Sequence, residues 1–524
     1  MRLYEGNILT CDKENRIAHY LLEDQGKILY CGDELPAGCV AAERVSTGEG
    51  ALIPPFVDSH IHFASYATFH AGLNVMNAQS NEEILQMLRE HVKKTKEKLV
   101  IGFGASPYSV SDGHLVRRVQ LDEVCPDKPL FLVKYDGHAC VVNTVLLNEV
   151  RGKVQHLRGF HEDTGEMNQE AFFAVSDYIT ASLSTVQLVA HMQKALDDLA
   201  ARGIGSLTLE VRASNLPAQR REPLVGVVLP EIRGITNGMQ MRVFMQTLDV
   251  NKAVKRKLPR IGGCFETALD GCFGSMDAAL LSPYENTSDC GVLYYSDEKV
   301  TEFCKAANRA GLQIEMHAIG DKAFVQAVRA IKAALDDLPR EDHRHTIIHA
   351  CLPTAEEIAV CERYHINLAV QTAFIDWPQE PDSYLEQILG ERAGRLNPIR
   401  TFCEHGLILS AGSDGPCTDP DPLLWMYKAC NHSNPAESIS VQQALRMCTY
   451  NGYYTTFDER ERGSLEAGKI ADMVLLDRNP YDIPKEELAS VKVKQLYLRG
   501  QEYKKGNGGG AAQILRGMIK RGKC

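Results

Sequence analysis

The feature that most constrains the fold is a regular alternation of two patterns from residue 201 onwards. Short apolar runs of strand length alternate with longer amphipathic runs of helical period, an order that favours an α/β fold with parallel strands and crossover helices. An apolar stretch at 51–61 brings the number of strands to eight, which is enough to close a TIM-type (β/α)8 barrel. The predicted strands are 51–61, 204–210, 241–246, 262–268, 312–317, 345–349, 366–371 and 407–413, with helices at 297–310, 321–338 and 354–363.

Three further regions surround this barrel, which we predict to occupy residues 53–459. Residues 64–190 mix helical and strand patterns after the first barrel strand, so we predict an inserted lid subdomain. Residues 1–52 and 460–505 show short alternating strands with glycine turns, which predicts a small β-sandwich domain built from both chain ends. Residues 506–524 are a Gly-rich linker and a basic tail, for which a flexible end is favoured over a subunit contact.

The composition narrows the classes of partner. A net charge of −11, from 57 basic and 68 acidic residues, argues against nucleic acid and anionic membranes and fits a protein that acts on small molecules. No apolar signal core opens the chain, and no run of about 18 apolar residues is present. The 16 cysteines are scattered without a CxxC pair, Cys264 among them, so we predict buried, inert thiols in a reducing cytoplasm.

Residues that bind metals fall at the ends of five predicted strands. His60 and His62 are two positions apart in ALIPPFVDSHIHF, so both imidazoles point to the same face of the first strand. The ends of barrel strands face a common cavity, and imidazole and carboxylate are ligands of catalytic Zn²⁺ sites. The sequence therefore predicts a site for one or two divalent metal ions. Its candidate ligands are His60, His62, Glu266, His317, His349 and Asp414.

Each candidate also has a structural interpretation. A single histidine, such as His317 in LQIEMHAIGD or His349 in HTIIHACL, is more often a hydrogen-bonded core residue than a ligand, and Asp414 in AGSDGP can open a turn. Glu266 is harder to explain in this way, because a glutamate on a central barrel strand is rarely buried without a charged or metal partner. The coincidence of so many ligand types at strand ends favours the metal interpretation.

Several longer motifs resemble one known group. VDSHIHF, MHAIGDKA, IIHA, AGSDGP and GSLEAGKIADMVLLD look like the amidohydrolase superfamily, and DGHACVVN and DGCFGSMDAALLSPY are similar to motifs of its YtcJ-like branch, amidohydrolase family 3. The resemblance covers residues 7–477. It implies a role as metal ligands for four histidines, and as both ligand and proton shuttle for one aspartate. These residues are His60, His62, His317, His349 and Asp414.

The chain departs from this branch at the fourth strand. Members usually carry a lysine there, a candidate for carbamylation as a bridge between two metals, whereas this chain has Glu266. A glutamate offers a carboxylate at a similar point on a shorter stem. We therefore interpret Glu266 as a bridging or single-metal ligand, and the number of metals stays open.

The resemblance implies a metal-dependent hydrolase that uses a metal-activated water to cleave a C–N bond in an amide, N-formyl compound or cyclic amide. Asp414 would take the proton of the water and pass it to the leaving nitrogen, while the metal or His349 polarises the carbonyl. Zinc is the expected ion, although other divalent metals fit the same ligands. Two alternatives remain: a heterocycle deaminase of the same superfamily, for which only Asp321 follows the strand-five histidine, and a non-catalytic scaffold.

Four residues are candidates for substrate binding, and each has a competing structural role. His138 follows a tight turn in the lid region, and Lys134 precedes that turn on a strand. Glu210 ends the second barrel strand beside an arginine, and Trp377 lies in FIDWPQEP after the seventh. The structural alternatives are turn stabilisation for His138, exposure to water for Lys134, an ion pair at the rim of the barrel for Glu210 and packing of the loop for Trp377. The small-molecule substrate itself is not indicated, and a homodimer is a possible assembly.

Overall fold

The computed structural model describes residues 1–37, 39, 41, 43–212, 238–264 and 267–506. The N-terminal part consists of short strands that precede the barrel. The strands are β1 (Arg2–Leu9), β2 (Ile17–Asp24), β3 (Lys27–Gly32), β4 (Glu43–Ser46) and β5 (Leu52–Ile53), followed by β6 (Phe56–Ile61).

An inserted segment with its own sheet follows β6. Its six strands pair in the order β11-β12-β10-β9-β8-β7, and helices cover the sheet. Asn143 starts one of these helices, because its side chain accepts a hydrogen bond from the Leu146 N–H and so satisfies a free backbone donor. The elements are α1 (Phe63–His70), β7 (Leu73–Asn74), α2 (Asn81–Lys94), β8 (Val100–Ala105), α3 (Arg118–Val124), β9 (Leu130–Lys134), β10 (Ala139–Val142), α4 (Thr144–Val154), β11 (Phe160–His161), β12 (Glu166–Asn168) and α5 (Gln169–Ser182).

The barrel consists of eight parallel strands in the order β19-β18-β17-β16-β15-β14-β13-β6. Its two ends meet through a parallel bridge between Ile61 and Gly415, and the Asp414 N–H donates to the His60 carbonyl at 2.8 Å. The predicted barrel is therefore confirmed. Its elements after β6 are α6 (Thr185–Ala201), β13 (Ile204–Arg212), β14 (Gln240–Gln246), α7 (Val250–Lys255), β15 (Arg260–Gly263), α8 (Asp297–Arg309), β16 (Gln313–Ala318), α9 (Asp321–Asp337), β17 (Thr346–His349), α10 (Ala355–Tyr364), β18 (Asn367–Val370), α11 (Asp382–Leu389), α12 (Ile399–Glu404) and β19 (Leu409–Ala411).

Strands from the two chain ends share one sheet beside the barrel, in the order β22-β21-β20-β5-β1-β2-β3, with β4 added to β1. The central junction is the antiparallel pairing of Leu52 and Ile53 with Leu475 and Val474. Folding of these strands into a sandwich stays a prediction. The C-terminal elements are α13 (Pro422–Cys430), α14 (Val441–Cys448), α15 (Tyr450–Thr455), β20 (Met473–Leu476), β21 (Val493–Leu498) and β22 (Gln501–Glu502).

The main hydrophobic core lies between the barrel strands and the surrounding helices. Strand β6 is buried along its whole length, as are β16 and β17. Helix α9 buries eleven of its residues against the barrel, including Phe324 and Ile331, which explains its strongly periodic sequence. Within the described ranges, no single helix is both long and apolar enough to cross a membrane. The bent helix pair Gln169–Ser182 and Val186–Ala201 meets the length and composition of a membrane span, but only these two criteria.

The fourth barrel strand differs from its prediction. The apolar pattern predicts a strand over 262–268, whereas β15 ends at Gly263. Gly262 has a φ of +107°, and a Cβ on this residue would lie 1.9 Å from the Glu315 carbonyl oxygen of β16. Only glycine fits this close approach, and the strand stops at the two glycines. The next residue, Cys264, therefore sits at the strand end.

We expect Gly262→Ala to destabilise the protein more than Gly311→Ala. Gly311 also has a positive φ, +75°, but a Cβ there would meet no atom within 4 Å. Gly311→Ala should therefore lose about 1–2 kcal/mol of unfolding free energy, which is the cost of holding a residue with a Cβ in a left-handed conformation. Gly262→Ala should lose about 1–3 kcal/mol more, because its methyl group collides with main chain. Denaturation midpoints of the two variants test this, and equal losses would contradict the close approach at Gly262.

Candidate metal centre

The C-terminal ends of five barrel strands bring six side chains with metal-binding atoms together. His60 and His62 lie at the end of β6, and His317 lies on β16. His349 ends β17 with a φ of +70°, and Asp414 follows β19 with a φ of +54°. Such left-handed backbone is costly for residues other than glycine and is concentrated at functional sites. The sixth side chain is Cys264, directly after β15.

Cys264 lies at the centre of this cluster. Its sulfur is 3.4 Å from Nε2 of His60, 3.4 Å from Nδ1 of His317 and 3.9 Å from Nε2 of His349. Burial by itself raises the pKa of the thiol, but the neighbouring His60 and His317 imidazoles lower that pKa well below its ordinary range. The environment therefore favours the thiolate, which is the form that binds metals.

Asp414 completes the side of the cluster next to β6. Its Oδ1 atom lies 3.2 Å from Nε2 of His60 and 3.1 Å from Nε2 of His62. This oxygen is buried and makes no aligned hydrogen bond within the described residues. Burial raises the pKa of the carboxyl, but the His60 and His62 imidazoles lower it well below its ordinary range. An ionised, buried oxygen so placed fits a position facing a cation.

The orientation of His317 also fits a metal ligand. Its Nε2 atom is 3.2 Å from the Gly271 carbonyl oxygen and 3.4 Å from Oδ1 of Asp270. Both oxygens are acceptors at this contact, so Nε2 carries a proton, and Nδ1 is the ring nitrogen that faces the cluster. Asp270 is fixed in turn by the N–H groups of Ala279, Ile319 and Gly320. Asp270 therefore orients the ring of His317.

Asp58 holds the two edges of the barrel together beneath the cluster. Its Oδ2 accepts a 2.6 Å hydrogen bond from the Ser413 hydroxyl, and its Oδ1 accepts one of 2.9 Å from the Ser413 N–H. Burial raises the pKa of this carboxyl to about 7, although Ser413 and His60 oppose the shift. These bonds join the turn that carries Asp414 to the strand that carries the two histidines.

The inserted segment contacts the barrel loops on the same side as the cluster. The Lys134 ammonium donates to Asp136 at 2.8 Å, and both side chains are buried. The Tyr135 hydroxyl donates to Oε1 of Glu380 at 2.9 Å. Burial raises the pKa of Glu380 to about 7, while Tyr135 opposes the shift. The Cys417 thiol lies 3.7 Å from the Asp136 carbonyl oxygen and links these residues to the loop of Asp414. We call the set formed by Lys134, Tyr135, Asp136 and Glu380 the roof of the cluster.

A row of aromatic rings, which we call the aromatic wall, joins the roof to His349, one of the candidate ligands. Phe374 stacks on His349 with ring centroids 6.1 Å apart, and Trp377 lies 4.8 Å from Phe374. Trp377 also meets the edge of Tyr135 at 5.1 Å, and Tyr108 continues the row at 6.3 Å from Tyr135. Trp377 is almost fully buried, so it packs the loop and also contributes to this wall.

The other predicted residues have mixed outcomes. Lys134 pairs with Asp136, and His138 meets the edge of Phe173 at 6.3 Å, inside the insert. Glu210 lies on β13, but its side chain is outside the described part of the chain. Glu266 also lies outside the described residues, so its role stays a prediction.

Cys264 and the roof residues were missed from the sequence. The prediction of inert thiols grouped Cys264 with cysteines such as Cys304, which lies on helix α8 and packs against Met316 of β16. The available signal was the Gly-Gly pair before Cys264, which can end a strand early and place the next residue at its end. Tyr135 and Glu380 carried no comparable signal, since 245 positions separate them along the chain.

Comparisons with known proteins agree with this architecture. Residues 48–503 match the amidohydrolase family. The chain is 25% identical to the putative amidohydrolase YtcJ of Bacillus subtilis strain 168, over 88% of this chain and 91% of that protein. It is 23% identical to an N-substituted formamide deformylase of Arthrobacter pascens, over 95% and 97% of the two chains.

A solved structure shares the fold. An uncharacterized metal-dependent hydrolase from Pyrococcus horikoshii OT3 superposes with a TM-score of 0.73 and 23% identity, covering 92% of this chain and 99% of that one. At this identity the likeness shows the fold alone. The family match spans the barrel and four of the eight strands of the sheet from the two chain ends, β5, β20, β21 and β22, and it confirms the resemblance seen in the motifs. The chain therefore belongs to the amidohydrolase family.

Proposed function

We propose that this protein hydrolyses a C–N bond of a small amide, N-formyl compound or cyclic amide with the help of bound divalent metal, zinc being the first candidate. The observation that carries the proposal is the convergence of three overlapping groups of imidazole, thiol or carboxylate atoms at the strand ends, where the atoms of each group lie within 4.8 Å of one another. Such a mixture of nitrogen, sulfur and oxygen ligands suits Zn²⁺. The formamide deformylase among the relatives supports an N-acyl substrate.

We assign His60, His62, His317, His349 and Asp414 to holding the metal. When bound, a divalent cation acidifies a coordinated water and polarises a carbonyl. The chain's own contribution is to fix these side chains before substrate arrives. Asp58 ties the edges of the barrel and Asp270 orients His317, which reduces the reorganisation needed at the reaction step.

Asp414 is the proposed proton carrier. Its buried Oδ1 faces the cluster and is ionised in this environment, so it can accept a proton from the attacking water. The same carboxyl can then protonate the leaving nitrogen, which lets an amine depart instead of an amide anion. His349 is placed to assist by polarising the carbonyl oxygen.

We place the unreacting part of the substrate under the roof. Trp377 and His138 are candidate contacts, supported for Trp377 by its position in the aromatic wall beside His349. The charge of Lys134 is neutralised by Asp136, so an anionic group on a substrate would have to displace that carboxylate. Glu210 remains a further candidate because it lies near the end of β13. The insert would then act as the predicted lid.

Heterocycle deamination is the second candidate. It needs a carboxylate soon after the strand-five histidine, and Asp321 is the residue available. Oδ1 of Asp321 accepts a 2.7 Å hydrogen bond from the Leu281 N–H at the start of α9. This partner gives Asp321 a structural role and favours amide hydrolysis.

Metal removal should abolish the activity. Treating the protein with a strong chelator should stop hydrolysis and lower the Tm, because bound metal stabilises only the folded chain. Adding Zn²⁺ after removal of the chelator should restore both. Activity and Tm measured in parallel test this, and full activity in protein shown to be free of metal by mass spectrometry would refute the proposal.

Asp414→Asn and Asp321→Asn separate the two candidate reactions. Asp414→Asn should lower kcat by about 10²–10⁴, since proton transfer contributes that much, and should leave the fold intact. Asp321→Asn should change kcat by only a few fold, because its amide oxygen can still accept from Leu281. Kinetic assays with circular dichroism as a folding check decide the matter. A large loss confined to Asp321→Asn would favour the deaminase.

A substrate panel tests the bond that is cleaved. N-formyl amines and N-substituted amides should release a carboxylic acid together with an amine, and cyclic amides should open to an amino acid. Amino-substituted heterocycles, which would release ammonia, should be inert. Product analysis by mass spectrometry and an ammonia assay distinguishes the two sets, and ammonia release from heterocycles alone would exclude amide hydrolysis.

A further inference from the structure

We propose that Cys264 is a shared thiolate ligand that bridges two divalent metal ions. This inference rests on the proposed metal-dependent function and adds a ligand to its site. Two groups of possible ligands meet at this cysteine: His60 and His62 on one side, and His317 and His349 on the other. Cys264 is the one residue that the two groups have in common. A third group joins Asp414 to His60 and His349.

The distances around Cys264 fit ligation. In a tetrahedral zinc site with Zn–S of about 2.3 Å and Zn–N of about 2.0–2.1 Å, neighbouring sulfur and nitrogen atoms are roughly 3.5 Å apart. The Cys264 sulfur lies 3.4 Å from nitrogens of both His60 and His317, which belong to different groups. One sulfur at this distance from both groups is the arrangement that a bridge requires.

Three imidazole nitrogens surround the Cys264 sulfur. Nε2 of His317 is directed at the Gly271 carbonyl, so Nδ1 is the nitrogen that this ring can offer to a metal, and Nδ1 is the atom that faces the sulfur. A sulfur enclosed by imidazole nitrogens from three barrel strands is the setting in which a thiolate and its neighbouring histidines can share metal ions.

The backbone of strand four explains why a short side chain occupies this place. Gly262 lies so close to β16 that a Cβ would clash with the Glu315 carbonyl oxygen, and Cys264 follows two residues later at the end of this strand. The Cys264 sulfur, one bond beyond its Cβ, then reaches the histidines without a long stem. Metal ions would bind the thiolate, and protons held by the neighbouring imidazoles would be released to solvent as their nitrogens become ligands. A thiolate bridge also favours zinc and other soft ions over magnesium or calcium.

Cobalt substitution gives a direct test. The Co²⁺-loaded protein should show a thiolate-to-cobalt charge-transfer band in the near ultraviolet and contain two metals per chain. Cys264→Ala should lose the band and retain at most one metal. Cys304→Ala, which removes a buried thiol from the core, should keep both. A band unchanged in Cys264→Ala would overturn the proposal, as would an equal loss in Cys304→Ala, because the band would then report folding.

Alkylation of the wild-type chain makes the test independent of the variants. Cys264 is buried, so iodoacetamide should modify it slowly in metal-free protein, as the site opens, and Zn²⁺ loading should slow this measurable reaction further, with the modified peptide quantified over time by mass spectrometry. Equal labelling with and without Zn²⁺ would refute ligation by this thiol. If the enzyme is active and binds metal but shows neither band nor protection, the bridge is wrong while the proposed hydrolase stands. An inactive protein without metal would refute the hydrolase itself.

Discussion

Closure of the barrel between β6 and β19 is the constraint on which the rest of the site depends. The two strands are far apart in sequence, and Asp58 joins them by bonding both the hydroxyl and the N–H of Ser413. The next residue, Asp414, donates its N–H to the His60 carbonyl. The same junction that completes the sheet therefore sets the distance between the carboxylate and the two histidines of β6. A barrel with a wider gap here would leave these charges apart and the cluster open to water.

The roof depends on a second set of long-range contacts. Tyr135 of the insert bonds Glu380, and a Cβ on Gly274 would collide with both of those side chains. Three separate parts of the chain thus meet at one partly buried carboxylate. With a pKa raised to about 7, Glu380 is held by its neighbours in an environment that resists charge. This packing connects the position of the insert to the loops that surround the metal centre.

The sequence predicted the barrel and five of the clustered side chains because both follow from local patterns. Strand and helix periodicity located the eight strands, and the rule that ligands lie at strand ends selected His60, His62, His317, His349 and Asp414. The predicted end of strand four was wrong, because the apolar run in the sequence continues past Gly263 whereas the strand ends at that residue. Contacts such as Tyr135 with Glu380 depend on how loops meet in space, which no short-range pattern encodes.

The sheet shared by the two chain ends has a consequence for synthesis on the ribosome. Strand β5 ends at Ile53, and its partner β20 starts at Met473, after the whole barrel. At about 5–20 residues per second, roughly 20–80 s pass between the emergence of these two strands. During that interval the edge of β5 has unpaired backbone groups, the kind of edge that attracts other strands. The nascent chain therefore has a long period in which a chaperone or the growing barrel must protect its first sheet.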